Sequence, residues 1–457
     1  MPLDQWLHAA TDHPLARYSQ YVNPQFAKVL RTIGFDIAFT RANGAYLYDA
    51  RGNQYLDCLA GYGVFNMGRN HPRIKAALQR ALELDLPNML QMHAPPLAGL
   101  LAERLLARVA LPALDTVFFT NSGTEAVEAA IKFAKCATGR GEILCTEHAF
   151  HGLTNGSLSC NGNAEFRDGF EPLLPGRRVP FGDLDALRTA LASRTIAAFI
   201  VEPIQGKGVY TAPTTYFNEA IHLCRQHGTL VIADEVQTGL GRTGRWFACQ
   251  AWQEPPDLLC VAKALSGGYV PVGALCYSRT IYDRVYSSMD RCVVHSNTFG
   301  RNTLAMVAGL AALEVTQDDG LVENAVHRGR AILDGLRTLA TEFEMIKEVR
   351  GEGCMIGIEF GEPQSLRLRT GWKLIHTLNA NLFGQLIVVP LFTKHRILTQ
   401  VAGHNAIVKL LPPLTLGDAD VEHLLTALRA VIAEAHRFPG GVWDVGMDLA
   451  KRALRAS

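Results

Sequence analysis

Residues 258–268, LLCVAKALSGG, contain a single charged side chain, Lys263. Lysine is rarely buried unless paired or chemically used, and desolvation favours the neutral, nucleophilic amine. The other reading of this segment is a surface lysine followed by a loop. Residues 232–237, IADEVQ, end an apolar run in adjacent acids, Asp234 and Glu235. A carboxylate there needs a positive or hydrogen-bonding partner, unless it merely caps a solvated strand end. Residues 121–124, NSGT, follow the apolar run TVFF and precede a helix-like stretch. Free backbone N–H groups and the helix dipole at such a junction suit a phosphate, and the same residues also suit a plain N-cap. Residues 148–152, HAFHG, follow another apolar run and offer a ring to stack on a flat ligand. Together these segments supply an amine nucleophile, a carboxylate, an anion cradle and an aromatic platform, the set that pyridoxal phosphate requires.

All four lie at the carboxyl ends of strand-length apolar runs, where open α/β sheets bind ligands. Runs at 116–119, 143–145, 197–201, 230–233 and 258–261 predict buried strands. The stretches 125–139, ending in Gly139, and 216–226 predict amphipathic helices. That alternation implies crossover connections and a mainly parallel sheet with helices on both faces. From about Gly320 the texture changes to a long helical stretch, strand candidates in VRGEGCMIGIEF and AIVKLLPPL, and a helical stretch at 418–438. This predicts a second, smaller α+β unit. The first 55 residues have their own turn and strand pattern, with NGAYLYDARGNQYLDC as a hairpin closed by Arg51-Gly52-Asn53. The expected division is 1–55 as part of the small domain, 56–319 as a large cofactor-binding domain, and 320–457 as the C-terminal small domain.

Composition bounds the partners. Across 457 residues, 44 basic and 43 acidic side chains leave a net charge of +1, too little positive field for a general nucleic-acid binder or a polybasic membrane-surface protein. With 48% hydrophobic and 19% charged residues, the chain can bury a large core. Ten scattered cysteines without a CxxC pair predict reduced, mostly buried thiols rather than a zinc site or a disulfide framework. The amino-terminal residues carry Asp4 and two prolines where a secretory signal has a basic end and an apolar stretch, and no segment reaches about 18 uncharged apolar residues. The expectation is a soluble, cytoplasmic protein with no nucleic-acid or membrane partner.

The ordered segments TNSGTEAVEAAIKFAK, AFHG, VEPIQGKGV, VIADEVQTGLGRTGRWFA, PDLLCVAKALSGGYVPVGA and NTFGRNTLA resemble the class III aminotransferases, the ornithine, acetylornithine and ω-amine group. The resemblance runs from about Tyr46 to Pro413. It implies an α/β architecture of fold type I, with a large domain built on a mainly parallel seven-stranded sheet between helices and a smaller α+β domain. It also implies pyridoxal 5'-phosphate as cofactor, an amine donor and an oxo acceptor as substrates, and a homodimer whose site is shared between subunits. By position in the motifs, Lys263 would form the Schiff base and move the proton between substrate and cofactor. Asp234 would keep the pyridine nitrogen protonated, Gln237 would hydrogen-bond the phenolic oxygen, and Val236 and Phe150 would clamp the ring faces. Ser122, Gly123 and Thr124 would cradle the phosphate, with Thr298 reaching it from the neighbouring subunit. Glu202 and His151 match positions near the cofactor, and Tyr62 matches a substrate-side tyrosine at the entrance.

The pattern departs at substrate choice. Where the ornithine-type members place an arginine before PPL to bind a carboxylate, VKLLPPL has Lys409, which lacks the bidentate fork. EPIQG continues as Lys207-Gly208-Val209, one residue short, where those enzymes carry a glutamate that gates the arginine. Both changes favour a terminal amine or aldehyde substrate. The alternatives are an ornithine or acetylornithine aminotransferase in which Lys409 or Arg396 replaces the arginine, and another reaction on the same cofactor, such as racemisation or decarboxylation.

Three further patterns point elsewhere and are set aside. Residues 239–244 form a literal GxGxxG but precede Arg245-Trp246-Phe247 instead of a helix, against a dinucleotide site. His148 and His151 beside Glu147 lack a third metal ligand at recognisable spacing, so no metal is expected. Residues 155–157 fit a glycosylation sequon without secretory context. The stretch 437–457 is expected to dock as a helix anchored by Trp443.

Overall fold

Apolar strands as short as LLCV and IAAFIV can be buried on both faces only inside a sheet covered by helices, and that is where they lie. In the computed structural model, which describes residues 2–11, 14–90, 92–378, 382–403, 406–443 and 446, seven strands form one sheet. Their spatial order is Thr116–Thr120, Gly273–Tyr277, Leu258–Val261, Leu230–Asp234, Ile196–Val201, Glu142–Thr146 and Gly176–Val179. The last five pair in parallel, while Gly273–Tyr277 runs antiparallel to both of its neighbours. Each run predicted from sequence is present. Gly273–Tyr277 and Gly176–Val179 were not among them, because GALCY and GRRV are short and carry little β-branched signal.

The helix Gly123–Thr138 follows the first of these strands and packs its alanine-rich face on the sheet. Its start and stop are written locally: the Ser122 side chain accepts from the Glu125 N–H, and Gly139 closes it at φ 70°.

A four-stranded antiparallel sheet, Ile346–Glu352, Met355–Phe360, Ile407–Leu410 and Gln400–Ala402, packs with the helices Leu321–Glu342, Leu382–His395 and Asp418–Ala435 in a separate apolar core. Leu382–His395 escaped the sequence reading, since an almost wholly apolar helix with Pro390 inside it has no amphipathic period. Trp443 is buried in the same core and donates Nε1–H to the Ala435 carbonyl at 2.9 Å. The remainder of the expected docking helix, 444–445 and 447–457, lies outside the described residues.

The hairpin at 46–57 forms as expected, Tyr46–Asp49 against Gln54–Asp57, with Gly52 at φ 81° in the turn. The reading of the first 55 residues as turn and strand needs correction: Leu3–Thr11, Pro14–Tyr21 and Pro24–Ile33 are helices that precede those strands. The overlooked signal was Asn23-Pro24, an N-cap accepting from the Phe26 N–H at 2.9 Å followed by proline at the first helical position. Gln54–Asp57 also pairs in parallel with Ile397–Leu398, so chain segments far apart in sequence share one small sheet. Among the described residues, no single helix is long and apolar enough to cross a membrane.

Candidate active site

Every predicted site residue except Thr298 lines one cavity of about 880 Å³ at the carboxyl ends of the central strands. The strand Leu230–Asp234 delivers two acids to opposite faces because successive side chains alternate. Asp234 faces the cavity, 4% exposed, and its Oδ2 lies 2.7 Å from His151 Nδ1. Its Oδ1 accepts the Val236 N–H at 3.0 Å. Glu235 turns away, accepting the Ala248 and Cys249 N–H groups and the Thr238 hydroxyl. Burial raises the Glu235 carboxyl above its usual range, and these donors work against that rise. The adjacent acids therefore divide into one for the cavity and one for the fold.

Lys263 opens a short helical turn, Lys263–Ser266, just after the strand Leu258–Val261, and sits at φ 43°. A positive φ on a lysine costs on the order of 1 kcal/mol or more and persists where surroundings impose it, often at functional sites. Burial pulls the Lys263 ammonium below its usual pKa, while Asp234 and Glu202 pull it back up. Glu202 accepts the Phe150 N–H at 2.9 Å and the Gly206 N–H at 2.6 Å, so it ties together two loops that line the cavity. Its burial raises its pKa, with His151 opposing. His151 Nε2 is buried and has no hydrogen-bond partner among the described residues.

The start of the helix Gly123–Thr138 lies at the cavity wall. A methyl group at Gly123 would meet Val236 Cγ1 at 2.7 Å, so glycine is what lets Val236 close over the helix end. The Thr124 hydroxyl lies 2.6 Å from Ser157 Oγ and 2.7 Å from Thr154 Oγ1. Phe150 meets Phe166 edge to face at 5.2 Å. Sequence reading had no motif to find Phe166.

Elsewhere on the cavity wall, Lys409 is 1% exposed and donates to Gly206 O and Gln237 Oε1, each at 2.5 Å. Gln237 in turn donates Nε2–H to the Tyr62 carbonyl at 2.9 Å. Burial, reinforced by the nearby Lys263, holds the Lys409 pKa well below its usual value. Tyr62 itself is 54% exposed at the opening.

Thr298 is not brought to this cavity within its own chain. It is exposed and lines a separate cavity of about 310 Å³ with Met89, His93 and Arg301. The GxGxxG segment forms turns around a fully buried Arg242, whose guanidinium donates to the carbonyls of Cys354 and Pro412 and to Asn66 Oδ1. His148 turns to Asn163 Oδ1 at 3.3 Å while His151 turns to Asp234. Among the described residues no group of three or more His, Cys, Asp or Glu side chains is placed to hold a metal.

A desolvated amine, a buried carboxylate paired with histidine, a helix start at the wall and apolar side chains around one cavity fit a flat, phosphorylated pyridine. The comparisons agree. The family model for class-III aminotransferases matches residues 31–432. Aminotransferase PigE of Serratia sp. (strain ATCC 39006) is 36% identical over 463 residues, covering 94% of this chain, and this chain spans only 54% of that protein's length. The ornithine aminotransferase of Toxoplasma gondii superposes with a TM-score of 0.83 at 27% identity, over 96% of this chain and 100% of the other. A PLP-bound amine transaminase from an uncultivated Pseudomonas species gives 0.76 at 29% identity, over 87% of this chain and 95% of the other. The chain therefore belongs to the class-III aminotransferases, the fold type I group of pyridoxal-phosphate enzymes.

Proposed function

We propose that this chain transfers an amino group between a terminal amine, or an amino acid, and an aldehyde or 2-oxo acid in two half-reactions. The observation that carries the substrate reading is Lys409. At the position where ornithine-type relatives hold a carboxylate with arginine, its ammonium is buried and bonded to Gly206 O and Gln237 Oε1. An ornithine or acetylornithine substrate finds no bidentate fork there.

Pyridoxal phosphate, when bound, supplies an electron sink for the carbanion left when the substrate carbon loses a proton. The protein does the rest. Lys263 Nζ is the attaching amine and then the proton carrier, a task suited by its lowered pKa. Asp234, oriented by His151, holds a protonated ring nitrogen. Val236 and Phe150 would shield the bound ring from water, the Ser122 to Thr124 backbone would hold the phosphate, and Gln237 would hydrogen-bond the phenolic oxygen, all of them residues that line the cavity. Glu202 acts through the two loops it ties. The same reading includes a homodimer, with Thr298 completing its neighbour's site, a domain division at 56 and 320, and a cytoplasmic location.

The test is a half-reaction screen. The reconstituted protein is mixed with putrescine, cadaverine, ornithine, acetylornithine, alanine and glutamate while the visible cofactor band is followed. Loss of the band with the diamines is expected. Loss with ornithine or acetylornithine alone overturns the substrate reading, and an active monomer on gel filtration removes Thr298 from the site.

A further inference from the structure

We propose that Lys207 is the carboxylate-recognising cation of this site, used for the half-reaction whose substrate is a 2-oxo acid or an α-amino acid. The inference rests on the aminotransferase reading above and names how one of its two substrate classes is held.

Three lysines line the cavity. Lys263 is the reacting amine, and Lys409 has committed donors to Gly206 O and Gln237 Oε1. Lys207 is different. Its ammonium rests over the rings of Phe166 and Phe150, with Nζ 4.7 Å and 6.0 Å from their centroids. No carboxylate among the described residues pairs with it, whereas Lys347, Lys373 and Lys394 each pair with a glutamate. An ammonium held only by ring faces at a solvent-accessible opening is weakly retained, and a carboxylate entering the cavity offers a stronger partner.

The backbone around Lys207 is held by hydrogen bonds on both sides of it. Gly206 is held on both sides, its N–H by Glu202 at 2.6 Å and its carbonyl by Lys409. Arg350 donates to the Gly208 carbonyl at 2.8 Å and to the Val209 carbonyl at 3.1 Å. Gly208 and Val209 turn the chain at φ 86° and 54°. The loop thus presents a long, rotatable cation from an immobile base. Tyr62, Val64, Leu153 and Val401 supply apolar wall for a partner that lacks a carboxylate. A two-substrate enzyme needs both surfaces, and resting Lys207 on aromatic rings keeps the charge out of the way when the apolar partner is bound.

The experiment compares wild type with Lys207→Met, Lys207→Glu and Lys207→Arg, all reconstituted. KM is measured for pyruvate and 2-oxoglutarate against pentanal, which lacks a carboxylate. Binding of glutarate, which cannot react, is measured by calorimetry. Lys207→Met should raise KM for both oxo acids about 10-fold or more and weaken glutarate binding in parallel, with pentanal changed less than about two-fold. Lys207→Glu should go further, and Lys207→Arg should retain wild-type behaviour. Unchanged oxo-acid KM and glutarate affinity in Lys207→Met overturn the assignment, as does an equal rise for pentanal or a wild type that does not bind glutarate. A wild type that binds glutarate yet transfers no amino group overturns the aminotransferase reading instead, and the glutarate affinities still decide for or against Lys207.

Discussion

Lys409 Nζ donates to Gln237 Oε1 across 2.5 Å, so two side chains that line the same cavity are bonded to each other. The pair has a cost with a definite pH signature. Burial leaves the folded protein binding the Lys409 proton more weakly than the unfolded chain does. Between the lowered value and about 10.5 the unfolded state therefore carries the extra proton, and this residue's contribution to stability rises with pH.

Lys409→Met removes that titration together with two hydrogen bonds. The Tm of wild type minus that of the variant should increase from pH 6 through pH 8 to pH 10. A difference that stays constant across those three values would show that Lys409 is not held at a depressed pKa.

Asp234 and Lys263 are coupled through charge, since Asp234 raises the lysine's proton affinity against the larger effect of burial. Capture of pyridoxal phosphate requires the neutral amine. Its rate in apoprotein should rise with pH and level off below pH 10.5, and Asp234→Asn should move that midpoint lower. Asp234→Ala should also cut kcat by about 10²-fold or more with the fold intact by circular dichroism. Lys263→Ala should remove the visible cofactor band. A midpoint unmoved by Asp234→Asn, or near-normal turnover in Asp234→Ala, contradicts the roles assigned.

Gly123 and Val236 touch through the absence of a side chain. Gly123→Ala places Cβ 2.7 Å from Val236 Cγ1 and should cost about 1–3 kcal/mol of stability by overpacking. Val236→Ala opens that space. The double variant should recover much of the Tm lost in Gly123→Ala, and losses that simply add would show that the two residues do not meet.

The residues that line the candidate site were largely legible because they sit at strand ends and helix starts, where local sequence sets geometry. Ser122 and Gly139 announce their helix, and IADEVQ announces a strand that ends in adjacent acids. What was not legible depends on contacts between distant segments. Nothing near Lys409 in sequence says that Gly206 and Gln237 will occupy its donors, and nothing near Lys207 says that Phe166 will lie beneath it. Thr298 was legible as a motif position only, and its own chain leaves it outside the cavity. The purpose of the glycines at 239–244 is visible only with the buried Arg242 and its carbonyl partners in place.

Arg242 is wholly buried with no carboxylate partner among the described residues, and burial pushes its pKa down to about 10. Its charge is neutralised by dipoles alone: the carbonyls of Cys354 and Pro412 and the amide oxygen of Asn66. Those acceptors come from three separate stretches of chain, so the guanidinium joins the loop after the strand Leu230–Asp234 to the Met355–Phe360 hairpin and the PPL segment. Arg242→Met would leave three buried acceptors unpaired, each worth about 1–3 kcal/mol. Arg242→Lys offers one ammonium where a planar fork spans two directions, and should rescue only part of the loss. Both variants should lower Tm by several degrees while the fraction that remains folded at low temperature keeps its visible cofactor band. A variant with unchanged Tm and a lost band would move Arg242 from the framework into the cofactor site, which the cavity lining, formed without it, argues against.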